Sequence, residues 1–207
     1  MSFFCFIEHP PRFFRRFFPN GFWCEPQTEK TVYLTFDDGP IPEVTPDVLE
    51  ILKKYGVKAT FFMVGDNVRK HPDVFKMVVD EGHMVGNHTF NHIQGFKYSI
   101  SDYVANVEKA DNLIHSKLFR PPHGQFTRNM ERALSDKYKI VFFDVVTRDY
   151  NKNLNGEYVL NVVKRYARNG SVIVFHDSLK SEKRMKYALP LAIEWLKEQG
   201  YKFDVIR

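Results

Sequence analysis

The chain has 207 residues, 43% of them hydrophobic and 27% charged, the proportions of a globular domain that buries an ordinary core and not of a disordered or fibrous chain. Its formal charge of +5 comes from basic residues spread along the chain, without the Lys/Arg block that marks a nucleic-acid surface, so no nucleic-acid partner is expected. No stretch has the continuous apolar length of a membrane span or of a signal peptide, and the expectation is a cytoplasmic chain with no membrane partner. Cys5 and Cys24 make no disulfide framework and are expected as free thiols. Residues 1–28 are dense in Phe and carry Arg12, Arg15 and Arg16; they are expected to be an aromatic-rich extension packed on a single domain spanning 29–207.

From Thr31 onward, strand-like and helix-like patterns alternate. Residues 31–36 (TVYLTF) are β-branched and aromatic and stop at the turn signal Asp37-Asp38-Gly39-Pro40. Thr45-Pro46 reads as an N-cap with proline at the first helical position, opening a helix to about Tyr55. Residues 59–64 (ATFFMV) predict a second strand and 72–81 a helix stopped by Gly82. Met84-Val85 starts a short third strand that runs into Asn87-His88. Ser99-Ile100-Ser101-Asp102 has capping-box spacing and opens an amphipathic helix to about Ile114. Strands are predicted next at 117–120, 139–146, 171–175 and 201–206, and helices at 127–135, 155–167 and 182–198.

This alternation predicts parallel strands joined by crossover helices, in the α/β class. The near-continuous apolar strands predict a sheet covered on both faces. Asp37, Asp38, His88, Arg120 and His176 each follow a predicted strand. Polar residues ringing one rim favour a barrel of seven parallel strands over an open sheet, which gathers its ligands at one switch point.

His88-Thr89-Phe90-Asn91-His92 places two imidazoles four residues apart, on one face of a helical turn and close enough to share a cation. Alone, such a pair is more often two solvated loop histidines. Asp37-Asp38 at a strand end sends its side chains to opposite sides, so one carboxylate can bind a cation while the other stays free. Alone, Asp-Asp-Gly-Pro is good turn chemistry. Together, one Asp and two His complete a three-ligand site with open positions for water and substrate. A cation there lowers the pKa of its water toward ~7 and polarises a carbonyl oxygen, and the second Asp is a natural general base. His176 is placed to protonate a leaving amine, or is a rim histidine with a structural hydrogen bond. Arg120 and Asp149 are either surface salt-bridge partners worth ~0–1 kcal/mol or the groups that keep the base ionised and His176 protonated.

Five segments carry a resemblance: Thr35-Phe36-Asp37-Asp38-Gly39-Pro40, His88-Thr89-Phe90-Asn91-His92, Arg120-Pro121-Pro122-His123-Gly124, Asp149-Tyr150 and Val174-Phe175-His176-Asp177. In this order they are similar to the blocks of polysaccharide deacetylases with a chitooligosaccharide-deacetylase-type catalytic domain (carbohydrate esterase family 4), which the chain resembles from about Thr31 to Arg207. The resemblance implies a distorted (β/α) barrel with fewer than eight strands. It implies Asp38, His88 and His92 as ligands of a divalent metal, usually Zn2+, with Co2+, Ni2+, Mn2+ or Fe2+ able to take its place. It further implies Asp37 as base oriented by Arg120, His176 as acid tuned by Asp149, a backbone N–H near His123 as an oxyanion donor, and Thr89 as a brace of the histidine loop.

The implied reaction is removal of N-acetyl groups from an N-acetylglucosamine-containing glycan of the chitooligosaccharide or peptidoglycan type, the acetylated glycan being the partner. The same residues leave open an O-acetyl ester deacetylase acting on a plant polysaccharide such as xylan, and a carbohydrate-binding protein whose catalysis has lapsed. A non-haem iron oxygenase also uses two His and a carboxylate, but it needs neither the second Asp nor an acid histidine. The chain departs from the family at His123, where Tyr or Phe is usual, at Tyr150, where Trp is usual, and at Val174, where Leu is common. The last two line the acetyl pocket and bear on substrate choice.

Overall fold

The apolar run beginning at Thr31 becomes the central strand β1 (Thr31–Asp37), buried along its whole length in the computed structural model, which describes residues 8–24 and 27–207. The pleat sends alternate side chains to opposite faces. Val32, Leu34 and Phe36 pack outward under the helices, whereas Tyr33 joins an inner cluster with Phe62, Val141 and Val172. Thr35 and Asp37 share that inner face, which decides where the functional side chains point.

Every paired strand is parallel to its neighbour. On one side of β1 lie β2 (Thr60–Met63), β3 (Met84–Asn87), β4 (Leu118–Phe119) and β5 (Lys139–Ile140); on the other lie β7 (Val172–His176) and then β6 (Val145–Val146). A last short strand, β8 (Lys202–Phe203), pairs only with the start of β1, so the predicted strand 201–206 shrinks to two residues. The crossovers are α1 (Thr45–Lys54), α2 (Gly65–Lys70), α3 (Pro72–Asp80), α4 (Ile100–Ile114), α5 (Arg128–Leu134), α6 (Gly156–Tyr166) and α7 (Glu182–Glu198). The fold is the α/β distorted barrel that the alternation predicted.

The distortion has a local cause. The predicted strand 139–146 is split: its first part, β5, pairs with β4 and its last, β6, with β7. One bent segment therefore closes the ring in place of a ladder. The carbonyls of Val141 and Phe142 accept from Arg120 at 3.3 Å and 3.1 Å. The N–H of Phe142 donates to the Phe22 carbonyl at 2.7 Å, and the Phe22 N–H donates to Ile140 at 2.8 Å. Buried backbone groups that leave a ladder must find partners elsewhere; here they find a side chain and the N-terminal segment.

Three helices start on side-chain caps, from Ser99, Thr127 and Asn155. Thr45 is not one of them: it lies inside α1, and its hydroxyl bonds Asp177 instead (2.6 Å). Helix α2 was not predicted. It is one short turn-and-a-half whose Gly65 packs against Phe90 and Ala110, where a Cβ would come within 2.8 Å and 2.9 Å, so tertiary packing places it and no periodicity announces it. Among the described residues no helix is long and apolar enough to cross a membrane. Cys24 carries a free thiol, and Cys5 lies outside the described residues.

The N-terminal segment reaches the second core. Phe18 and Trp23 are buried with Phe126 and Phe142, and the Trp23 ring stacks on Phe142 with centroids 4.2 Å apart. Trp23→Ala is expected to cost about 3–5 kcal/mol, the range for deleting a buried large aromatic. Urea unfolding measures it, and a loss under ~1 kcal/mol would show that the segment rests on the barrel without supporting it.

Candidate active site

The strand ends converge. Asp37, the last residue of β1, lies in register with His176, the last of β7, and His88 follows β3. Arg120 follows β4 and turns its guanidinium across the barrel interior, 1% exposed. Nη1 donates to Asp37 Oδ1 at 2.6 Å and to Thr35 Oγ1 at 2.8 Å, while Nε and Nη2 serve the two bent-segment carbonyls already described. The guanidinium also lies over the Phe62 ring at 4.0 Å. A buried guanidinium is tolerable only with its donors paired, and this one is paired on every side. Asp37 thus has one oxygen fixed, and its other, Oδ2, stands 3.9 Å from His88 Nε2.

Asp38 points the other way. Its φ of 84° is in the left-handed region, which Asp tolerates better than most residues. Asn67 on α2 holds its carbonyl at 2.8 Å. The two side-chain oxygens face different partners: Oδ1 is 3.0 Å from His92 Nε2 and 3.9 Å from His88 Nε2, and Oδ2 is 3.0 Å from Lys180 Nζ. Burial opposes ionisation, but His92, His176 and Lys180 outweigh it and hold this carboxyl well below the usual range.

His88 is buried, and its Nδ1 lies 2.8 Å from the Arg120 carbonyl. A carbonyl only accepts, so Nδ1 carries the hydrogen and Nε2 presents its lone pair toward Asp38. Burial depresses its pKa to about 3, which keeps the ring neutral. The ligand atoms of Asp38, His88 and His92 all lie within 4.8 Å of one another. One carboxylate oxygen and two imidazole nitrogens are the donor set of a borderline divalent cation, and the fixed His88 tautomer fits such an ion. Thr89 ties the intervening loop: its N–H donates to Asn87 Oδ1 at 2.9 Å, and its Oγ1 accepts from the Ile93 N–H at 3.2 Å.

Across the cleft, His176 Nδ1 meets Asp149 Oδ1 at 2.7 Å, and the His176 backbone N–H donates to the other carboxylate oxygen at 2.8 Å. Burial disfavours the imidazolium, yet Asp149 prevails and the His176 pKa rises to about 9. A cleft opens between these groups, bordered by Asp37, Asp38, His88, His92 and His176. One wall is apolar, built from Phe143, Val146 and Val174 with Tyr150 against them. Tyr150 stands edge-on to His176 at 4.9 Å, and the His123 ring lies 4.4 Å from that of His92. Burial lowers His123 to about 4, so the ring is neutral; its nitrogens are not part of the three-residue cluster.

All seven residues singled out in the sequence therefore border one cleft or brace a residue that does. Sequence reasoning missed three. Asn67 sits on the unpredicted α2. Lys180 lies in a loop without pattern. Asp177 accepts from the Gly39 N–H (3.1 Å) and from Thr45, and a Cβ on Gly39 would fall 2.0 Å from its Oδ2. The one available signal was adjacency, Asp177 following His176.

Residues 25–141 match the family model described as polysaccharide deacetylase. A peptidoglycan-N-acetylglucosamine deacetylase of Bacillus cereus is 35% identical over 198 residues, covering 91% of this chain and 92% of the relative. A peptidoglycan-N-acetylmuramic acid deacetylase, PdaA of Bacillus subtilis, is 34% identical, covering 90% of this chain and 74% of the relative. Among solved structures, a peptidoglycan N-acetylglucosamine deacetylase in complex with an N-hydroxybenzamide superposes with a TM-score of 0.87 at 31% identity, covering 95% of this chain and 94% of the other.

Arg120→Met would leave the Asp37 carboxylate and two backbone carbonyls buried without donors. The expected loss is about 3–5 kcal/mol, as for removing one partner of a buried ion pair, read by chemical denaturation. A variant as stable as the parent would show that the pair contributes nothing to closing the barrel.

Proposed function

The chain belongs to the polysaccharide deacetylase family, and we propose that it hydrolyses the acetamide of an N-acetyl sugar in a peptidoglycan-type glycan, with Zn2+ held by Asp38, His88 and His92. The observation that carries this reading is the pairing of opposites across one cleft: a carboxylate beside a guanidinium, and an imidazole kept protonated by a second carboxylate. Both similar curated proteins act on peptidoglycan amino sugars by name, which supports the substrate class. Residues 29–207 form the catalytic domain in this reading, and residues 1–28 its N-terminal extension.

Asp38, His88 and His92 would hold a divalent cation that, when bound, would polarise an acetamide carbonyl and acidify water. Asp37 Oδ2 takes the proton of the attacking water, while Arg120 holds Oδ1. The tetrahedral oxyanion faces the backbone N–H near His123, a donor of the kind that lowers acyl-transfer barriers. His176, protonated and oriented by Asp149, gives its Nε2 proton to the departing nitrogen. The apolar wall receives the acetyl methyl. An amide nitrogen must be protonated to leave, whereas an ester alkoxide depends less on an acid, so a histidine held protonated suits the amide. Retention of both base and acid does not favour a binding-only protein.

Acetate release from N-acetylated peptidoglycan fragments or chitooligosaccharides, with Zn2+ supplied, tests the reading. Asp37→Asn is expected to lose about 10²–10⁴-fold in rate, the share of a general base, while retaining one equivalent of metal by elemental analysis. His88→Ala is expected to lose both metal and activity. An Asp37→Asn variant of undiminished activity would sink the assignment of the base.

The acid must be protonated to act, so kcat/KM falls as pH rises through the pKa of His176, at about 9. Asp149→Asn removes the carboxylate that raises that pKa, so the alkaline limb of the pH profile moves to lower pH. An unmoved limb would exclude His176 as the titrating acid.

A further inference from the structure

Lys180 is a cleft cation that the proposed reaction does not use. It lies in the loop between β7 and α7, its Nζ 3.0 Å from Asp38 Oδ2 and its side chain 46% exposed. The Tyr150 ring lies 6.0 Å from that ammonium. The other cleft charges are matched inside the protein, Arg120 with Asp37 at 2.6 Å and His176 with Asp149 at 2.7 Å. Lys180 shares its carboxylate. Asp38 Oδ1 faces the two imidazoles and Oδ2 the ammonium, so one carboxylate serves three nitrogen partners. An ammonium has three donors; Asp38 Oδ2 takes one, and the half-exposed stem leaves the others to the cleft mouth.

Charge balance points the same way. Asp37, Asp38 and Asp149 offset Arg120, Lys180 and protonated His176, so a divalent cation makes the cleft net positive. Clefts of one sign within apolar walls concentrate ligands of the other. The facing wall of Phe143, Val146 and Val174 offers a carboxylate nothing, whereas Lys180 brings a half-exposed ammonium to the same cleft.

We propose that Lys180 is a specificity-determining residue that pairs with a carboxylate borne by the glycan beside the reacting N-acetyl group. The chemical class is a carboxylate-substituted amino-sugar glycan, its charge on a lactyl ether of the sugar or on an attached peptide. The inference rests on the deacetylase reading above.

Steady-state kinetics on the Zn2+-loaded full chain test it with four substrates of equal length: a neutral chitooligosaccharide, a peptide-free glycan with lactyl carboxylates, the same glycan with those groups reduced to alcohols, and one carrying stem peptides. Lys180→Met is expected to lower the ratio of kcat/KM for carboxylate-bearing over neutral substrate by about tenfold or more, the scale of one charge-assisted hydrogen bond. The loss should appear in KM and shrink with added salt, and Lys180→Arg should restore most of the preference. The reduced glycan should behave as the neutral one; if only the stem-peptide substrate responds, the carboxylate is the peptide's. An equal fall on neutral and charged substrates, or lower metal content by elemental analysis, would overturn the proposal, because Lys180 would then act through Asp38. Calorimetric titration of the lactyl glycan into Asp37→Asn, with and without Lys180→Met, reads the same preference without turnover. A wild-type chain that releases no acetate while this titration keeps its tenfold difference would fail the deacetylase reading alone.

Discussion

The buried pair of Arg120 and Asp37 is the interaction on which both fold and site depend. A guanidinium in the middle of a barrel needs its nitrogens answered, and each of the three finds a partner: Thr35 and Asp37 on β1, and the bent segment between β5 and β6. The side chain therefore spans the gap that no ladder closes. The same residue also serves the site through its backbone: its carbonyl takes the His88 Nδ1 hydrogen and its N–H donates to Asn87 at 2.9 Å. One residue thus fixes the rotation of Asp37 and the tautomer of His88, and neither can shift without breaking the closure of the barrel.

Two ion pairs of opposite purpose follow from this frame. A guanidinium never deprotonates in the working range, so Arg120 is a permanent cation that fixes one oxygen of Asp37. A carboxylate beside an imidazole does the reverse and keeps a proton on the ring. The pairs stand on adjacent strands, β1 and β7, at the same register level. A carboxylate and an imidazole held protonated by its own carboxylate partner thus face one cleft, which gives that cleft a base and an acid together.

Much of this was legible in the sequence because it is periodic or local. The alternation of apolar strands and helices needs no tertiary knowledge, and Asp37 and His176 end strands while Asp38, His88 and Arg120 directly follow them, so the barrel geometry brings all five to one rim. What stayed hidden depends on distant partners. Residues 139–146 read as one strand because their apolar content is continuous; only the inward demand of Arg120 and the reach of Phe22 break it. Thr45-Pro46 has the composition of a cap, but a buried Asp177 competes for the hydroxyl. Helix α2 is too short for a period, and with it Asn67 escaped notice.

The broken strand also shapes the wall that faces the substrate. An unbroken 139–146 would alternate strictly between inside and outside. The bend lets four consecutive residues serve four surroundings: Val141 joins the inner cluster, Phe142 stacks on Trp23, Phe143 lines the cleft, and Asp144 is buried against Ser171 and Arg168. Alternation from Val141 turns Phe143 inward in any case; what the bend changes comes after it, where Val145 packs under the helices with Val32, Leu34 and Phe36, and Val146 takes the inner place in the cleft beside Val174 and Tyr150.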